Sequence, residues 1–315
     1  MDIRALLLFL GVLTAFSVIV RIREKRSASS FMGERLLYLR IHQSLVPLYK
    51  SLDELALLNR QVYTLPLGLS LLATIEEFAF ENMQVFSLGD KRSHNLVFFL
   101  HGGAYVEQPS FAHWMFLERI MRLSNCRIIV PIYPKAPDHQ VTKVLPSLLR
   151  LYRMQESDHL TLMGDSAGGG LALALAQSMD ERQKKELDHI ILLSPWLDIA
   201  LANPATDFLQ KSDPMLSKEQ LLLYGKAWSG EVDPKDWRVS PLYGSLVGLA
   251  PITLFVGTHE LFLADARSLK RKAKQELVML EYHEAKRMNH DYPLFPIPEA
   301  RRAQTRIAHI IGGRI

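Results

Sequence analysis

The chain has 315 residues, 48% hydrophobic and 22% charged, with a formal net charge of +4 and a single cysteine. A chain of this length and composition can bury a sizeable core, which excludes a disordered or fibrous protein, and the lone Cys126 excludes an internal disulfide. Most of the positive excess sits in residues 21–26, where Arg21, Arg23, Lys25 and Arg26 face only Glu24, so a basic face for nucleic acid is not supported.

The first predicted element is apolar. Residues 5–20 carry no charge and are bounded by Arg4 on one side and the basic block on the other. The run is shorter than the roughly 20 residues that cross a hydrocarbon core, but flanking arginines can snorkel and Ile22 can extend it. Residues 1–26 are therefore expected to form a single membrane-spanning anchor with a basic flank. The excess of basic residues after the run puts the body in the cytoplasm. The alternative is a cleavable signal peptide cut near Ser27-Ala28-Ser29, giving a secreted protein, although a charged block separates that site from the apolar run.

From 27 to 81 the pattern is helical, with apolar residues three and four apart in Leu36, Leu37, Leu39, Ile41, Leu45 and again in Leu52, Leu55, Leu57, Leu58. After residue 82 strands alternate with helices. Strands are predicted at 84–88, 95–100, 127–133, 159–163, 189–193, 252–256 and 278–282, and helices at 113–123, 142–152, 171–179 and 264–275. This alternation over 82–315 predicts an α/β domain with a mostly parallel sheet covered on both faces. Residues 201–240, punctuated by Asn203-Pro204, Asp213-Pro214 and Asp233-Pro234, read as an excursion that shapes a pocket.

The strand at 159–163 runs directly into Gly164-Asp165-Ser166-Ala167-Gly168-Gly169. This is the pattern of a nucleophile elbow, a strand-to-helix turn so tight that a Cβ at Gly164 or Gly168 would collide, with Ser166 lifted above the sheet edge. The strand at 95–100 ends in His101-Gly102-Gly103-Ala104-Tyr105, a loop suited to offering backbone N–H groups to an oxyanion. A serine hydroxyl is a weak nucleophile at neutral pH and needs a base, itself oriented by an acid. His290 follows the last predicted strand, and Glu260 follows the one before it. Asp265, inside the next predicted helix, is the alternative acid. The order serine, acid, histidine is the one this type of sheet uses.

These residues, together with Tyr133-Pro134, Ser194-Pro195-Trp196, Ser240-Pro241-Leu242-Tyr243 and the 257–265 stretch, make the chain similar to the hormone-sensitive-lipase-like branch of the α/β-hydrolases, the bacterial carboxylesterases and lipases. The resemblance implies an α/β-hydrolase fold with an eight-stranded sheet, a helical cap formed by the 27–81 segment, no metal or organic cofactor, and hydrolysis of a small-molecule carboxylic ester. It implies catalytic roles for Ser166, Glu260 and His290. The oxyanion hole would come from Gly103, Ala104 and Ala167, with Gly102 shaping the loop. Two departures stand out: alanine at 104 in place of a third glycine, and glutamate at 260 where aspartate is commoner. His101 reads as a structural residue and Asp165 as a network residue beside the elbow. His113, His139, His159 and His259 have no metal-ligand spacing. Trp196 and Tyr105 either line the pocket or pack the core. A lactonase or amide hydrolase with the same three residues, or a ligand-binding protein on the same fold, are the alternatives; the last typically loses the base, which here is present.

Overall fold

The computed structural model describes residues 3–43 and 50–313. Eight strands form one sheet in the order β1-β2-β4-β3-β5-β6-β7-β8, where β1 is Ile75–Phe80, β2 Met83–Leu88, β3 Asn95–Leu100, β4 Arg127–Ile132, β5 His159–Asp165, β6 Leu187–Leu193, β7 Ile252–His259 and β8 Leu280–Asn289. β2 runs antiparallel to both of its neighbours, and every other pairing is parallel.

The side-chain alternation of the central strands divides the core in two. Leu96, Phe98 and Leu100 of β3, and Ile190 and Leu192 of β6, point into one apolar layer; Val97, Phe99, Ile191 and Leu193 point into the other. Because both faces are covered, these strands read as continuous apolar runs rather than alternating ones.

The helices, numbered along the chain, are α1 (Ile3–Glu24), α2 (Ala28–Gln43), α3 (Leu52–Asn59), α4 (Phe111–Ser124), α5 (Val141–Arg153), α6 (Ser166–Gln177), α7 (Glu181–Glu186), α8 (Ala205–Leu209), α9 (Lys218–Ser229), α10 (Leu263–Gln275) and α11 (Pro298–Ile311). The first core layer is closed by α5, α6, α9 and α10, through residues such as Leu148, Leu171, Leu221 and Leu269. The second is closed by α4 and α11, through Trp114, Phe116, Ala300 and Ile307. Cys126 is a free thiol buried in this second layer.

Three expectations need correction. The segment 27–81 is not helical throughout: it ends in β1, whose Ile75 pairs with Leu88 and whose Phe80 pairs with Met83 across a tight reversal. As an edge strand with mostly exposed side chains, including Glu76 and Glu77, it lacks the apolar run that marks its neighbours. Leu45, counted in the helical repeat, lies outside the described residues. The last strand continues to Asn289 instead of stopping at 282. It too is an edge, with Glu284 and Lys286 turned to solvent.

The third correction concerns the N-terminus. Among the described residues no helix is long and apolar enough to cross a membrane. α1 includes Arg21, Arg23 and Glu24 in its last turn, and that end is docked on the body. Val20 is buried, and Glu24 pairs with Arg287. Arg26 is buried as well; it donates to the Arg287 carbonyl at 2.7 Å and pairs with Glu34, which also contacts His259. Part of the block expected to be a free basic flank is therefore a buried ion-pair network.

Candidate active site

Ser166 sits at the junction of β5 and α6 with φ +51°, a left-handed conformation that a non-glycine residue adopts only where the surroundings impose it. The glycines beside it are required by close approach. A Cβ on Gly164 would lie 2.3 Å from the Gly168 carbonyl oxygen, and one on Gly168 would lie 2.0 Å from the Leu100 carbonyl oxygen. The turn thus wedges the start of α6 against the end of β3, which brings the loop after β3 beside Ser166.

His290 follows β8 directly. Its Nε2 is 2.9 Å from Ser166 Oγ and its Nδ1 is 2.9 Å from Glu260 Oε2. Glu260 lies one residue beyond β7 and is fully buried; its other oxygen accepts from the Gly257 N–H at 2.5 Å and from Ser194 Oγ at 2.8 Å. The carboxylate is thereby oriented, and it fixes the ring with Nδ1 as donor and Nε2 facing the serine. Asp265, the alternative acid, is in the first turn of α10 with its nearest side-chain partner Asn203 at 3.4 Å, and burial pushes it up to about 7. It does not contact His290.

Around the glycine-rich loop, Gly102 does not offer its N–H to an anion. Its N–H is donated to Asp165 Oδ1 at 3.0 Å, so Gly102 ties the loop down and has no N–H left for an anion. Gly103, Ala104 and Ala167 have no recorded backbone N–H partner among the described residues. Ala104 takes φ +51°, the strain cost of replacing a third glycine. The other Asp165 oxygen is 3.1 Å from His113 Nε2, and the Ser110 N–H donates to His113 Nδ1 at 3.0 Å, which sets His113 to give its Nε2 proton to Asp165. Burial opposes charge on His113, but Asp165 more than reverses it and the pKa is raised. His101 stacks on Tyr133 at 4.5 Å and contacts the Gly102 carbonyl at 2.6 Å; burial, with the charges of Lys135 and His113, holds its pKa well below the ordinary value. It pins the loop as a neutral ring.

Tyr105, Trp196 and Trp228 are packed on one another, with Tyr105 and Trp228 parallel at 4.5 Å and Tyr105 and Trp196 at 5.5 Å. The stack continues through Phe262, 5.1 Å from the His290 ring, and so joins the loop to the histidine. Ser166 and His290 are only 6% and 3% exposed, so the serine stands within reach of the histidine but is roofed over. The excursion at 201–240 supplies part of this cover: Met215 Sδ is 3.2 Å from Asn289 Nδ2, and Asp213 accepts from the Leu261 N–H at 2.9 Å. α2 is close by, since Gly33, Glu34 and Leu37 share a cavity of about 290 Å³ with Asn289.

Two neighbours were not singled out from sequence for this site. Ser194 orients Glu260; its Ser-Pro-Trp context was the signal available. Asp291 places Oδ2 at 3.1 Å from His290 Nε2, on the same side of the ring as Ser166. Sequence gave no sign of it, because an acid next to the histidine reads as a loop residue. Among the described residues no group of three histidine, cysteine or acidic side chains is placed to hold a metal ion.

A sheet with this strand order, a serine on the β5–α6 turn and a histidine after the last strand define an α/β hydrolase. The α/β-hydrolase-fold family matches residues 97–294. The chain is 30% identical to an esterase of Acinetobacter venetianus, over 68% of this chain and 73% of that one. It is 31% identical to a triacylglycerol lipase of Mycobacterium tuberculosis, over 66% of this chain but only 45% of the lipase. Among solved structures, a double mutant of the esterase E40 superposes with a TM-score of 0.79 at 26% identity, covering 91% of this chain and 99% of that one. The chain belongs to the α/β-hydrolase-fold family of carboxylic-ester hydrolases, in the hormone-sensitive-lipase-like branch to which its motifs point.

Proposed function

We propose that the protein hydrolyses carboxylic esters through an acyl-enzyme formed on Ser166, with His290 as general base and acid and Glu260 as its orienting carboxylate. The observation that carries this reading is the pair of 2.9 Å contacts on opposite nitrogens of one imidazole, to Ser166 Oγ and to Glu260 Oε2. His290 Nε2 takes the hydroxyl proton as Ser166 Oγ attacks the ester carbonyl. The oxyanion that results is met by the N–H groups of Gly103, Ala104 and Ala167, each such donor contributing on the order of 3 kcal/mol. His290 returns the proton to the departing alcohol, then activates the water that frees the acid.

Because substrate must pass the roof, we assign to α2 and the 201–240 excursion the part of a cap that selects the acyl group. A fluorophosphonate probe is expected to label the protein once, at Ser166, and Ser166→Ala is expected to abolish both labelling and ester hydrolysis. Full activity in that variant would remove the assignment. Short-chain and long-chain aryl esters assayed beside a lactone and an amide separate the ester reading from its alternatives.

A second reading concerns location. α1 exposes Phe9, Val12, Val18, Ile19 and Ile22, followed by Arg21, Arg23 and Lys25. Apolar side chains in solvent next to cations favour a place at an anionic lipid surface, with the catalytic body on the cytoplasmic side. Flotation with vesicles containing anionic lipid, compared with the chain lacking residues 1–19, tests the attachment; equal flotation of the two would exclude it. External protease added to intact cells tests the side.

A further inference from the structure

The imidazole of His290 has a carboxylate on each nitrogen. Glu260 faces Nδ1, while Nε2 is 2.9 Å from Ser166 Oγ and 3.1 Å from Asp291 Oδ2. A neutral ring that gives its Nδ1 proton to Glu260 has a lone pair on Nε2, and a lone pair facing an ionised carboxylate at this distance is repelled. The contact is favourable only with a proton between them, carried on Nε2 or on Asp291.

Asp291 is held there by its backbone. It has φ +51° and ψ +34°, and its N–H donates to Ser194 Oγ at 3.1 Å, the hydroxyl that also bonds Glu260. Its second oxygen, Oδ1, is buried with no hydrogen-bond partner among the described residues, while Oδ2 pairs with His290.

We propose that His290 rests protonated at Nε2, paired with the charge of Asp291, and that this proton must leave before His290 can act as a base toward Ser166. The inference rests on the proposed roles of Ser166 and His290. Asp291 thereby acts on a reacting nitrogen and sets the lower pH limit of the enzyme. With the proton in place, Nε2 has no free lone pair for the serine hydroxyl. Once it is lost to solvent, the Asp291 charge favours the imidazolium that forms during attack, so the same residue delays activation at low pH and supports the base at high pH.

The surrounding charges agree. Burial alone would push His290 down, but Asp291 and then Glu260 more than reverse it, and its pKa lies well above the ordinary value. Burial raises the Asp291 carboxyl above the ordinary aspartate range, with the His290 charge pulling the other way and Asp165 adding to the rise. Asp213, from the loop before α9, also interacts electrostatically with His290, and His113 of α4 with Asp291.

The test is the rate of fluorophosphonate inactivation between about pH 5 and pH 9, a range that spans the histidine titration. It is measured for the intact protein, Asp291→Asn and Asp291→Gly. Asparagine and glycine both accept a left-handed backbone, so either variant retains the loop, as thermal melting would register. The midpoint of the acid limb is expected to fall by about one unit or more in both, which is roughly a tenfold gain in relative rate well below the midpoint. The rate at high pH is expected to fall modestly. A midpoint that stays in place while labelling remains confined to Ser166 overturns this inference alone. Labelling that survives Ser166→Ala overturns the nucleophile assignment and this inference with it.

Discussion

Asp165 precedes the proposed nucleophile yet does not touch the reacting atoms. Its two carboxylate oxygens receive the Gly102 N–H and the His113 Nε2 proton, so it fastens the glycine-rich loop to the end of β5. Asp165→Ala would leave a buried N–H unpaired, costing about 1–3 kcal/mol, and would free the loop that carries Gly103 and Ala104. Since the donors proposed there would act on charge that develops in the transition state, kcat is expected to drop roughly ten- to hundredfold with little change in KM. Steady-state kinetics beside a thermal melt check this, and a rise in KM alone would contradict it. The two candidate acids are separable in the same way. Glu260→Gln is expected to cost on the order of 10³-fold or more in kcat, because the ring loses the acceptor that fixes its tautomer, whereas Asp265→Asn is expected to leave kcat within about threefold. Ser166 and Glu260 were legible because each follows an apolar strand, which marks a loop end even in one sequence, and His290 because it comes after both in the order serine, acid, histidine. Asp291 was not, because its role depends on which side of the imidazole it reaches, and spacing says nothing of that.

At the scale of elements, the β5–α6 turn is tightly specified. Gly168→Ala would place a Cβ 2.0 Å from the Leu100 carbonyl oxygen and 2.5 Å from that of His101. Neither acceptor belongs to a flexible side chain, so β3 and α6 would have to part. We expect a loss of about 3 kcal/mol or more in stability, read by denaturant unfolding, and loss of fluorophosphonate labelling in whatever folds. A variant with unchanged stability would show that the turn has slack the geometry does not reveal. The central strands β3 to β7 were readable from sequence because burial on both faces makes them continuous apolar runs. The edges were not. β1 has a mostly exposed face, and β8 alternates charge with small or apolar residues, so the pattern that identifies a buried strand is missing where a sheet meets solvent. α11 escaped for a related reason: Arg301, Arg302, Thr305 and Arg306 interrupt an apolar stripe that only its packing on α4 makes evident.

Across the whole molecule, the N-terminal helices are joined to the catalytic body by a buried charge cluster. Glu34 of α2 lies between Arg26, in the link from α1 to α2, and His259, at the end of β7. Arg26 also bonds the Arg287 carbonyl, and Arg287 returns to Glu24, so one network spans α1, α2 and the strand that leads to His290. Burial opposes ionisation of Glu34, but hydrogen bonds from His259 and Arg26 outweigh it and its pKa is lowered. A depressed carboxyl contributes stability that is present above its unfolded value, near 4.3, and is lost as pH falls through the lower folded value. Glu34→Ala would leave the Arg26 guanidinium buried and short of its main partner, a change that costs about 3 kcal/mol in comparable buried pairs. The expected outcome is faster tryptic cleavage within residues 27–43 than in the intact protein at neutral pH, where the carboxylate of Glu34 is ionised. If the network also fixes the approach of α2 to Asn289, the variant will show a higher KM for long-chain esters than for short ones, with fluorophosphonate labelling of Ser166 retained. Equal cleavage of the two proteins at neutral pH would mean that apolar packing alone holds the helices in place.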